Sequence, residues 1–185
     1  MRASQPALLA AGRVIAEMRD PMVSQWADWL GDRLTASPSI PRPMVEREFR
    51  VLIDVLAEMV GPFRREVKTV WFHICEHYGR TAAARGLAAG EVVEELQFLR
   101  ELLIRGLAPV LAAMRARQAM AIMLRLNRVL DKGVAVAVVG YTDALVATIF
   151  TQNGVPAQLT DHDPAEFDRQ ITALEQELAT VIRNR

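Results

Sequence analysis

Two histidines and the single cysteine of the chain fall within one short run, His73, Cys75 and His77 in WFHICEHYG. His73 and His77 are four residues apart, so on a helix they share a face, and two neutral imidazoles so placed can hold a divalent metal. The run HICEH is not the zinc-protease pattern, because Glu76 directly precedes the second histidine instead of following the first. No third ligand is evident nearby. Either histidine could instead ligate a haem iron if a helical fold offered an apolar cavity. The plainer reading puts one histidine at the edge of the core and the other in solvent. Cys75, between Ile74 and Glu76 and near Trp71, reads as an inert small hydrophobe.

Other reactive residues are scattered. Gly86 and Gly90 are not followed by Lys-Ser/Thr, so they form no phosphate-binding loop. No Ser, His and Asp set suggests a catalytic triad. Glu91, Glu94 and Glu95 read as the solvated first turns of a helix, where its dipole favours acids. Tyr141 and Asp143 stand in an apolar run, and Asp143 reads as a helix-surface residue. No enzyme chemistry follows from these residues, and no cofactor is called for outside the alternative of haem or metal at His73 or His77.

The 185 residues suit one domain with a short extension. Half of them are hydrophobic but only 6% aromatic, a helical composition rich in Ala, Leu, Arg and Glu. Lys plus Arg and Asp plus Glu each number 22, which leaves no bulk electrostatic footprint for nucleic acid or an anionic membrane. Near-zero net charge accommodates self-association. One cysteine allows no internal disulfide, and a reducing cytoplasm is the expected compartment. The N-terminal stretch has too short an apolar run for a signal peptide. The run from Gly133 to Phe150 includes Thr142, Asp143 and Thr148, and so reads as a buried helix rather than a membrane span.

Helical periodicity dominates and predicts an all-α bundle of six to seven helices. Helices are expected over Pro6–Arg19, Met22–Thr35, Met44–Val60, Phe63–Ala84, from Glu91 onward, and Arg117–Phe150. Asp20-Pro21 reads as a break, Ser37–Pro43 as a loop, Arg85–Gly90 as a turn, and Gly106 with Pro109 as a kink or end of the fifth helix. The β-branched run Val134–Val139 keeps the helical period. A helix domain over 1–153 is followed by a loop and an amphipathic helix over 154–185. Asp163-Pro164-Ala165-Glu166 has the order of N-cap, N1 and N3 residues. Phe167, Ile171, Leu174, Leu178 and Val181 then form an a/d seam of about two heptads, suited to packing on the domain or to dimerisation.

The segment Tyr78-Gly79-Arg80, through Gly86-Leu87 to Val92-Val93-Glu94-Glu95 and Phe98-Leu99-Arg100, resembles the N-terminal domain of the RsbT co-antagonist (RsbRD) family. Pro21 to Leu34, with Trp26, is similar to the family's opening helix, and Leu126-Asn127-Arg128-Val129-Leu130-Asp131, continuing to Tyr141, to its closing helix. Together these span roughly residues 15 to 150. The resemblance implies a globin-like helical sensor domain without haem, which dimerises and stands ahead of an output domain such as a STAS domain, a histidine kinase or a transcription regulator. No output domain follows here, so the chain is expected to be a free-standing sensor or part of a longer regulator. The family supplies no catalytic residues.

The expected function is therefore a non-catalytic cytoplasmic signalling module of a stress response, acting as a homodimer on a protein partner, with no part for nucleic acid or membrane. The sixth helix is apolar on both sides, so Val136, Val139, Gly140 and Val146 are candidates for the subunit interface. The seam residues Phe167, Ile171, Leu174, Leu178 and Val181 are candidates beside them. The alternative is a haem- or metal-binding globin-like sensor that uses His73 or His77.

Overall fold

A computed structural model describes residues 3–33, 41–151 and 164–184. They form seven helices: α1 Gln5–Glu17, α2 Arg19–Arg33, α3 Arg42–Val60, α4 Lys68–Ala84, α5 Ala89–Ala112, α6 Ala116–Thr151 and α7 Pro164–Arg183. No strand occurs among the described residues, and no helix among them is long and apolar enough to cross a membrane. The loop and N-cap expected over 153–163, and most of the loop expected over 37–43, lie outside the described residues.

Helix boundaries follow local chemistry, with three departures from expectation. Pro21 does not break the chain: it sits in the first turn of α2, where a missing N–H costs nothing. The fourth helix starts at Lys68 rather than Phe63, because the chain first makes two turns in which the amides of Glu66 and Val67 both reach the Phe63 carbonyl. Pro109 lies inside α5 without ending it, since the proline is exposed and only one turn remains. At the end of α4, Gly86 has φ +81, the left-handed conformation that glycine adopts without strain. The Leu87 amide returns to the Ala82 carbonyl and the Gly86 amide to Ala83, which closes a Schellman cap. Glu91 then reaches back to the Ala88 amide at 2.6 Å and caps α5.

α4 and α6 form the most extensive helix pair. Their axes approach so closely that a Cβ on Gly79 would lie 1.9 Å from the Ala137 carbonyl oxygen. A Cβ on Gly140 would lie 2.3 Å from the Glu76 carbonyl oxygen. α3 packs against α1, α2, α4 and α7, and α5 closes the bundle against α1, α2 and α6. The core runs through all seven helices, from Ile15 and Trp26 to Phe49, Trp71, Leu99, Leu126 and Ile171.

The expected interface residues divide. Phe167, Ile171, Leu174 and Leu178 are buried in the chain's own core, with Val181 packed at its margin. α7 lies on α3 and α4, so its seam joins helices of one chain, and packing on the domain is the role that the structure shows for it. Gly140 is buried against α4 and Val136 is half-buried against the core. Val139 and Val146 are open, at 56% and 42% exposure.

Replacing Gly79 by alanine drives a methyl into a main-chain carbonyl that cannot move alone. Gly79→Ala should cost roughly 3 kcal/mol in urea unfolding. Gly31→Ala, on an exposed helical site with nothing within 4 Å of the new methyl, should be neutral or stabilising by up to about 1 kcal/mol.

Candidate functional site

The face of α4 opposite α6 carries His77, Tyr78, Thr81 and, at its cap, Arg85. Three of the four are unexpected inside a helical core, and two carboxylates meet them there: Glu48 from α3 and Glu95 from α5. None of these six residues is more than 6% exposed. Arg85 makes a two-pronged ion pair with Glu95, at 2.9 and 3.0 Å. The Tyr78 hydroxyl donates to the same carboxylate. His77 Nδ1 lies 2.7 Å from Glu48 Oε1, an arrangement in which the Nδ1 tautomer donates. The Thr81 hydroxyl lies 2.8 and 2.9 Å from the two Glu48 oxygens and 2.9 Å from the Tyr78 carbonyl; with one proton to give, it serves one of these at a time.

Aromatic rings enclose the cluster. Trp26 stacks on Phe49, and the Arg85 guanidinium lies 5.5 Å from the Tyr78 ring centre and 6.0 Å from that of Phe49. From α7, Phe167 covers His77 at 5.4 Å between ring centres. His77 Nε2 and Trp26 Nε1 have no hydrogen-bond partner among the described residues. Burial opposes the charge on Arg85, but Glu95, with Tyr78 and Glu48 added, outweighs it and holds the guanidinium's pKa above its ordinary value. Burial, with the Glu95 charge added, pushes the Tyr78 hydroxyl well above the usual tyrosine range.

α7 is held over this face by polar contacts. Arg47 of α3 bonds Glu175 through two nitrogens at 2.9 and 2.6 Å, Thr172 at 3.0 Å, and Asp168. His73 Nδ1 lies 3.0 Å from Glu177.

The histidine pair does not converge on a common point. His77 is buried on Glu48, and His73 is exposed on Glu177. One histidine lies within the core and the other in solvent, and no group of three His, Cys, Asp or Glu among the described residues could hold a metal ion. Cys75 is buried on the α6 side, and burial pushes its thiol well above the ordinary range. Tyr141 is buried and donates to the Leu87 carbonyl at 2.8 Å, while Asp143 is exposed.

Glu95 corrects the reading of three solvated acids. Glu91 and Glu94 are exposed, but Glu95 is 1% exposed, because the Schellman cap turns Arg85 inward opposite it. A signal for this was present. Glu95 falls three residues after Val92 and four before Leu99, on the apolar stripe, and Glu48 falls likewise between Val45 and Leu52. Comparison with known proteins finds no family model, curated protein or solved structure that matches the chain.

Glu95→Gln leaves Arg85 buried with its charge unbalanced and should cost about 3–5 kcal/mol in denaturant unfolding. Replacing Arg85 and Glu95 together by Met and Leu should recover most of that loss. The raised pKa of Tyr78 gives stability that is complete below about pH 10, where the unfolded chain also keeps the proton. That stability is lost as pH rises further, because only the unfolded chain ionises freely. Tyr78→Phe should accordingly lose stability less steeply than the parent chain above about pH 10.

Proposed function

We propose that this chain is a non-catalytic sensory or regulatory module that acts as a homodimer on a protein partner in the cytoplasm, in the manner that its resemblance to stress-response co-antagonist domains implies. The observation that carries the reading is the seating of α7. Its apolar seam and the Arg47 contacts lay it over a closed set of buried charges. The acids and bases of that set are directed at one another, an arrangement suited to holding one helix packing against another rather than to turning over a substrate. A signal acts on such a module through its differential affinity for two packings, and a partner reads the packing.

What supports self-association is α6. Met120, Leu124, Val139 and Val146 are large apolar side chains left exposed along one helix. Val139 and Val146, one heptad apart, leave the second side of its C-terminal half without cover from the described residues. Net charge near zero adds no repulsion between copies.

Sedimentation velocity should give a dimer at roughly tens of micromolar, and Val139→Asp combined with Val146→Asp should give a folded monomer. A monodisperse monomer of the parent chain at that concentration would sink the dimer. If the module works through α7, Arg47→Ala should speed amide exchange over 165–183 while leaving α4 and α6 protected. Uniform loosening of all three helices would argue that α7 is only a structural part of the bundle.

A further inference from the structure

Equal numbers of acids and bases conceal an uneven distribution. Where the turn over 62–67 meets α6, an open cleft of about 860 Å³ is lined by Arg64, Arg65, Lys68, Arg125 and Arg128. A recess of about 290 Å³ shares Arg64, Lys68 and Arg128 with it and adds Lys132. Among the described residues, Glu66 is the one carboxylate lining either.

These cations have no acidic partner among the described residues; the Lys68 ammonium lies 5.5 Å from the centre of the Phe72 ring, which lines the same recess. The ion pairs of the described residues involve other arginines and the histidines His73 and His77, and none includes Arg64, Arg65, Lys68, Arg128 or Lys132. Arg125 is fixed by main-chain carbonyls, those of Met59 at 3.1 Å and Gly61, and not by an acid. Burial, and to a lesser extent the nearby Arg64 charge, lower its pKa. α4 begins at this place: Lys68 is its first residue, no side chain caps it and its first turn holds no acid, so its dipole adds to the same field. Trp71, 1% exposed, lines the recess, and its indole N–H has no hydrogen-bond partner among the described residues.

We propose that this cleft binds a small anion bearing several phosphate charges, contacted by Arg64, Lys68, Arg128 and Lys132, with Arg125 as a fixed charge beside them. Converging cations repel one another until a multivalent anion spans them, and arginines offer the forked donors that phosphate oxygens accept. A concave site of this size suits a small molecule. A nucleic acid or a membrane would be met by cations spread along a face on a chain of positive net charge, which this chain lacks. The proposal does not rest on the sensory reading above, and its outcome does not depend on dimerisation.

Titration calorimetry of the whole chain at low ionic strength, with inorganic triphosphate and separately with ATP, tests it. Saturable binding is expected, weakening as salt is added. Arg128→Glu with Lys132→Glu should weaken it tenfold or more. Both residues are exposed, so an unchanged melting curve checks the fold. Arg80→Glu, an exposed cation outside the cleft that faces Glu76, should bind as the parent does. Equal affinity for the two ligands assigns the site to phosphates alone, and tighter binding of ATP assigns it to a nucleotide. No saturable binding at millimolar triphosphate, or binding indifferent to the paired substitution, overturns the proposal. Affinity for duplex DNA that exceeds that for triphosphate overturns it in favour of a nucleic-acid surface.

Discussion

The bundle depends on the backbone approach of α4 and α6. Gly79 meets the Ala137 carbonyl and Gly140 meets the Glu76 carbonyl, each too close for a side chain. Gly133 leaves room in the same seam for the Trp71 ring. Glycine in a helix interior is unfavourable by about 1 kcal/mol against alanine, and the seam offsets that through the most extensive helix contact of the bundle. This approach orients α4 rigidly. With one face consumed by α6, the opposite face must take His77, Tyr78, Thr81 and Arg85 into the centre of the other helices.

Charges brought into a core in this way need local balance. Arg85 finds it in Glu95, and Glu48 is served by His77 and Thr81. Such groups add little stability over well-packed apolar replacements, yet stranding any one of them is expensive. Their effect falls on which arrangement the helices adopt. Rotation of α5 would strand Arg85, and displacement of α3 would strand His77. α7 closes the same face, with Phe167 over His77 and Arg47 holding its outer edge. The region most sensitive to misplacement is thus covered by α7.

The surface follows a different rule. Over much of the molecule acids and bases alternate and pair, as Arg42 does with Asp28 and Glu46, and Arg19 with Asp20 and Asp54. Exposed pairs of that kind contribute little to stability. The turn before α4 and the facing stretch of α6 instead gather basic residues around a concavity.

Much of the architecture was legible from local pattern. The 3–4 spacing in α3, the glycine-marked turn after α4 and the unbroken period through Val134–Val139 depend on neighbours in the chain, so they survive without knowledge of the fold. The same holds for Cys75 as a buried hydrophobe and for Asp143 as a surface residue. An a/d seam such as Phe167 to Leu178 states only that an apolar stripe needs a partner; whether the partner is the same chain depends on where the stripe lands. Glu95 carried the mark of its apolar stripe, but its worth as a charge depended on Arg85 turning inward at a cap ten residues before it. The basic cleft was beyond reach in principle. Arg64 and Lys68 lie some sixty residues from Arg128 and Lys132, and neither group is unusual alone. The chain by itself determined helices, turns and stripes, because these are set by interactions between near neighbours. Which charges meet, in the core and at the surface, was decided only when α4 was laid against α6.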